Sequence, residues 1–156
     1  MSHSLPRLFA RTLPLLKAGQ ALLGHLQAPA ALAARVFVGM AFFRSGLTKI
    51  ADWDTTLALF ADEYHVPLLP TGVAAVAGTF GELFFPVLLI LGLFGRFSAL
   101  SLSVVNIVAV LSLAEIAPAA LQQHQFWGSL LLGLVLWGPG AWSVDAWWWP
   151  KASRGG

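Results

Sequence analysis

The chain has 156 residues, of which 58% are hydrophobic and only 10% charged, with no cysteine, and its mean hydropathy is +0.76. That balance exceeds what a water-soluble domain of this size can cover with polar surface, so a soluble enzyme is excluded. The missing thiols exclude disulfides, thiolate zinc sites, iron-sulfur clusters and covalent c-type haem, and nine basic residues scattered against seven acidic ones make no nucleic-acid surface.

The length accommodates about four lipid-spanning helices of roughly 20 residues each, with one further segment. In residues 1–27, Arg7, Arg11 and Lys17 are set among leucines and punctuated by Pro6 and Pro14. This reads as a cytoplasmic amphipathic helix at the membrane surface, because its apolar runs are too broken for a span or a signal-peptide core. The first span is expected at about Ala28 to Ile50. It has eight Val, Ile, Leu and Phe residues against Arg35, Arg44 and Lys49, so its insertion is close to break-even and requires a partner for the buried charge.

The connection from Ala51 to Pro70 carries Asp52, Asp54, Asp62 and Glu63 with Trp53, Phe60 and Tyr64, a composition that suits a short helix lying on the membrane surface. The second span, about Thr71 to Phe94, holds Glu82 and the small residues Ala74, Ala77, Gly78 and Gly81, whose spacing permits close helix packing. The third runs from about Phe97 to Ile116 with Asn106 inside it. The fourth runs from about Gln125 to Trp142, and Gly138-Pro139-Gly140 must end or bend it. Residues 146–156 form a Trp-rich interfacial tail, leaving 28–145 as the membrane domain. The fold class is therefore all-α: an integral membrane four-helix bundle with an N-terminal interfacial helix and a surface helix between spans 1 and 2.

Basic residues concentrate before the first span, between spans 2 and 3 and at the C-terminus, whereas the acidic connection falls on the other side. Both termini are expected in the cytoplasm.

An ionisable side chain inside lipid costs about 2.5 to 3.5 kcal/mol at a helix centre, so such residues mark candidate sites. Arg44 and Glu82 qualify, at depths of roughly 9 and 16 Å from the outer surface by helical rise. Two readings stay open. In one, the pair is a structural lock, or Arg44 snorkels outward beside a protonated Glu82. In the other, Arg44, Lys49, Glu82, Asn106 and His124 line an outward-facing pocket for a quinone-like or small polar ligand, with Glu82 as proton acceptor and Arg44 holding an oxygen. On the cytoplasmic side, Asp145 is expected to tie to Arg35 or Arg96. The histidines lack metal-ligand spacing, and no metal site is expected.

Arg35, Gly39, Phe42, Gly46 and Lys49, then Glu82, then Gly92-Leu93-Phe94-Gly95-Arg96, then Gly138-Pro139-Gly140-Ala141-Trp142-Ser143-Val144-Asp145 form a combined pattern. It resembles the DoxX family of small four-helix bacterial membrane proteins, from about Arg35 to Asp145. The resemblance implies an inner-membrane, oxidoreductase-associated subunit, since relatives are linked to thiosulfate:quinone oxidoreduction and to complexes that manage thiol and oxidative stress. It implies no covalent cofactor and leaves a quinone open as a bound one. Arg44 departs from the family pattern. The stretch from residue 42 to 70 is similar to a branch associated with small metal-stress peptides and their modifying enzymes, and this leaves a second function open: a non-catalytic scaffold for such a peptide or an enzyme partner. The partners implied are the bilayer, a membrane or periplasmic protein, and a second copy of the chain.

Overall fold

In the computed structural model, residues 5–148 are described, with side chains from residue 13 onward; Arg7, Arg11 and the tail from residue 149 have side chains outside that range. Six helices follow in order: α1 (Leu5–Ala51), α2 (Trp53–Asp62), α3 (Thr71–Leu91), α4 (Gly95–Ser112), α5 (Pro118–Trp137) and α6 (Val144–Trp148). Helices α1, α3, α4 and α5 pack as an antiparallel bundle, and α2 lies across α3 at one end of it.

Polarity is distributed as a bilayer requires. Apolar side chains such as Phe37, Val76, Phe80, Phe97, Leu100 and Ile107 face outward, while Arg35, Glu82, Ser98 and Asn106 are buried, as are Val38, Leu89, Leu102 and Leu131. Outward apolar faces on helices whose backbone groups are satisfied internally suit lipid as the surrounding solvent. Three helices are long and apolar enough to cross a membrane: α1 from Leu13 to Ala51, α3 and α4. The 20-residue α5 has the length, but with Gln122, Gln123, His124 and Gln125 in its first half it is not among those three. The chain is thus an all-α, multi-pass membrane protein.

Several boundaries differ from expectation. The N-terminal segment and the first span are one continuous helix of 47 residues, with Pro14 and Pro29 inside it. Each proline removes a single backbone donor, and the Ala- and Leu-rich sequence on either side resumes the helix. Side chains from Leu13 to Gln27 are exposed, including Leu15, Leu16, Leu22 and Leu23. The fourth helix begins at Pro118, seven positions before the expected Gln125, because a proline at the first helical position has no intrahelical donor to lose. It stops at Trp137, where Gly138 takes φ 86°. The third stops at Ser112 because Leu113 turns extended and pairs with Tyr64 in an antiparallel bridge, with the His65 N–H donating to the Ser112 carbonyl at 2.8 Å.

Glycines on α1 set its distance from α3. A Cβ on Gly39 would lie 2.6 Å from Ile90 Cγ1, and one on Gly46 would lie 2.8 Å from the Leu83 side chain. The small residues of α3 serve other neighbours: Gly78 faces Phe60 of α2, Gly81 faces Val105 of α4, and Ala74 and Ala75 sit under α2.

Candidate functional site

Two polar centres occupy opposite ends of the bundle. At the end away from α2, the turn between α3 and α4 is clamped from both sides. Arg35, fully buried on α1, donates Nη1 to the Ile90 carbonyl at 3.0 Å and Nη2 to the Trp142 carbonyl. A cation thereby meets the carbonyls that end α3, where the helix dipole is negative. Asp145 accepts from the Phe94 and Gly95 N–H groups at 2.8 and 2.7 Å, capping the first turn of α4. Gly92, at φ 67°, is required here, because Arg35 and Ser143 occupy the space a Cβ would need. Arg96 donates to the Leu136 carbonyl at 3.3 Å. Among the described residues no direct ion pair joins Asp145 to Arg35 or Arg96; Arg35 and Asp145 hold the same turn from its two sides through backbone groups.

The second centre lies at the α2 end. Lys49 Nζ is 2.6 Å from Glu82 Oε2, the only ion pair among the described residues, and it also donates to Ser45 Oγ at 3.0 Å. Lys49 and Glu82 are 18% and 10% exposed at their side chains, so the pair is largely withdrawn from solvent. On α4 and α5, Asn106 Nδ2 donates to the His124 carbonyl at 3.0 Å, and Asn106 Oδ1 lies 2.7 Å from His124 Nδ1. The His124 ring stands edge-on to Trp127 with centroids 5.1 Å apart, and Trp127 in turn contacts Phe42.

A cavity of about 300 Å³ joins these groups. Ser45, Lys49, Glu82, Ser112 and His124 supply its polar lining, and its apolar walls include Ala77, Gly78, Val105 and Val108, with Phe60 and Tyr64 of the α2 segment beside them. Helix α2 is held there by Asp52, whose carboxylate caps it by accepting from the Thr55 N–H and hydroxyl, and by the Thr56 hydroxyl, which donates to the Lys49 carbonyl at 2.9 Å. The two Thr55 hydrogen bonds hold the Asp52 carboxyl below its ordinary pKa. Tyr64 stacks against Phe60 with centroids 5.1 Å apart. Burial, with the Glu63 and Glu82 carboxylates adding to it, pushes its phenol pKa up.

Of the five residues expected to share a pocket, the structure brings Lys49, Glu82 and His124 to the cavity lining and sets Asn106 immediately behind His124. Arg44 does not join them. It is exposed on α1 beside outward-facing Phe37 and Leu47. Depth alone brought Arg44 near Glu82, but the inward face of α1 runs through Arg35, Val38, Phe42, Ser45 and Lys49 at helical spacing, and Arg44 lies off it. Tyr64 and Ser45 were missed; the Ser45 and Lys49 spacing of four on that face was the available signal. Glu115 is exposed, and among the described residues no three His, Cys, Asp or Glu side chains converge as a metal site would need.

No curated protein and no solved structure matches the chain. The DoxX family model matches residues 30–115, a stretch that holds Arg35, Lys49, Glu82 and Asn106 and ends before His124 and Asp145. That match covers more than half the chain, and on it the protein belongs to the DoxX family.

Proposed function

We propose that this DoxX protein is an inner-membrane subunit that supports electron transfer, binding a quinone-like small molecule in the cavity at the α2 end. The observation carrying this reading is the Lys49–Glu82 ion pair on the lining of a mainly apolar cavity between helices. A volume of about 300 Å³ is at the lower limit of ordinary ligand sites, which suits a single substituted ring whose apolar tail leaves between helices into lipid. A quinone would supply reversible electron acceptance. The residues fit such a head group: Lys49 presents an ammonium to a ring oxygen, the role first given to Arg44, and Glu82 supplies a carboxylate beside it for a proton.

The charge pattern supports an orientation. Lys17, Arg35 and Arg96 belong to the α3–α4 turn end or the α1 extension beyond it, and Asp52, Asp54, Asp62 and Glu63 belong to the α2 end. By the positive-inside rule the termini lie in the cytoplasm and the cavity opens toward the periplasmic face.

The test is to purify the protein in nanodiscs and measure co-purifying quinone by mass spectrometry. Enrichment in the wild type and its loss in a Lys49→Met, Glu82→Gln double variant are expected. Equal quinone in both would overturn the assignment.

A further inference from the structure

The Asn106–His124 contact determines which ring nitrogen of His124 is left without a proton, and this deepens the proposed quinone binding, on which it rests. The His124 backbone carbonyl can only accept, so the Asn106 side-chain group 3.0 Å from it must be the NH2. The Asn106 oxygen is then the atom 2.7 Å from His124 Nδ1. An amide oxygen can only accept, so Nδ1 must carry a proton. In a neutral imidazole the other nitrogen is then unprotonated. Nε2 has no partner among the described residues, and His124 lines the cavity that also holds Lys49 and Glu82.

We infer that His124, locked by Asn106 with its proton on Nδ1, is a specificity-determining hydrogen-bond acceptor, and that the cavity selects ligands presenting a ring hydroxyl. The complementary molecule is a hydroquinone or phenol whose O–H donates to Nε2 and whose oxygen accepts from Lys49. A ring bearing only carbonyl or ether oxygens leaves Nε2 facing an acceptor, which forfeits a hydrogen bond, so of a quinone couple the reduced, hydroxyl-bearing form is held more tightly than the oxidised one. Trp127, edge-on to the imidazole at 5.1 Å between centroids, restricts ring rotation that would relieve the mismatch. Asn106 is a positioning residue here, acting through His124.

Two measurements test this on the full-length protein in nanodiscs. NMR of isotope-labelled histidine, with the His124 signal assigned by its loss in His124→Gln, should report a protonated Nδ1 and a bare Nε2 at neutral pH. A protonated Nε2 in the neutral ring would overturn the inference. Titration with an alkyl hydroquinone and with its dimethyl ether should show a preference for the hydroquinone of about tenfold, the worth of one well-placed hydrogen bond. His124→Phe should abolish the preference, and Asn106→Leu should shrink it by releasing the tautomer. Equal binding of the two probes by the wild type overturns the role of His124 while leaving quinone binding standing. Binding of neither probe, together with no co-purified quinone, overturns both.

Discussion

Lys49 Nζ lies 2.6 Å from Glu82 Oε2, joining the C-terminal end of α1 to the middle of α3 where Gly46 lets the two helices approach. Removing one member leaves the other as an uncompensated charge in a low-dielectric setting, whereas removing both replaces the pair by an apolar contact. Lys49→Met and Glu82→Leu should each cost about 3 to 5 kcal/mol. The double variant should cost much less than their sum. A double-mutant cycle by thermal or denaturant unfolding in detergent checks this, and additive single effects would show that the pair is not coupled.

Tyr64 is the only tyrosine in the chain, so tyrosinate absorbance reports this one phenol. Burial and the carboxylates of Glu63 and Glu82 raise its pKa. The folded state thus holds the phenol proton more tightly than the unfolded state. Stability from this group is complete below the unfolded tyrosine pKa and is lost as pH rises through the window up to the folded value. The absorbance titration should move downward in Glu82→Gln, since one of the raising charges is gone. An unchanged titration would mean the two groups do not sense each other.

At the other end of the bundle, Asp145→Ala removes the acceptor for the Phe94 and Gly95 N–H groups. The loss should be about 1 kcal/mol, within the range for helix caps. Asp145→Asn should recover most of it, because an amide oxygen still accepts. Amide exchange at the first turn of α4 separates this from a general loosening: protection should fall there before it falls at Leu102.

Gly46→Val tests the close approach of α1 to α3, since any Cβ at this position would lie 2.8 Å from the Leu83 side chain and 3.2 Å from the Glu82 backbone. Overpacking of this kind costs about 1 to 3 kcal/mol. It should also pull Lys49 away from Glu82, so quinone retention should fall along with the melting temperature. Gly72→Ala, with nothing within 4 Å of the added carbon, is the control and should leave both unchanged.

Much of this architecture is legible in the sequence because lipid imposes strong rules on it. The largely apolar stretch from Thr71 to Phe94 has the length of a spanning helix, and the mixed acidic and apolar stretch from Asp52 to Glu63 suits a surface helix. The bundle, the α2 segment and the position of Glu82 follow from such patterns. What failed was angular. Estimating depth by counting residues put Arg44 beside Glu82, yet a shift of five residues along a helix changes the facing direction by more than a quarter turn. Lys49 won because it continues the face of Val38, Phe42 and Ser45. Asp145 was recognised as a partner for a charge, but its partners are backbone N–H groups, which a sequence does not display as charges. Tyr64 was hidden because its place over the cavity depends on the bridge to Leu113, a contact between loops far apart in the chain.

The clamp on the α3–α4 turn orders events during synthesis. The N–H groups of Phe94 and Gly95 find their acceptor on Asp145, about fifty positions later in the chain. Arg35 takes one of its two carbonyl partners from Ile90 and the other from Trp142. Until those residues are made, Arg35 lacks the carbonyl that Trp142 supplies and the first turn of α4 lacks the cap that Asp145 supplies. A nascent chain stopped after Gly140 should therefore hold the helices without the clamp. The short stretch from Trp142 to Asp145 thus acts as a latch on the turn.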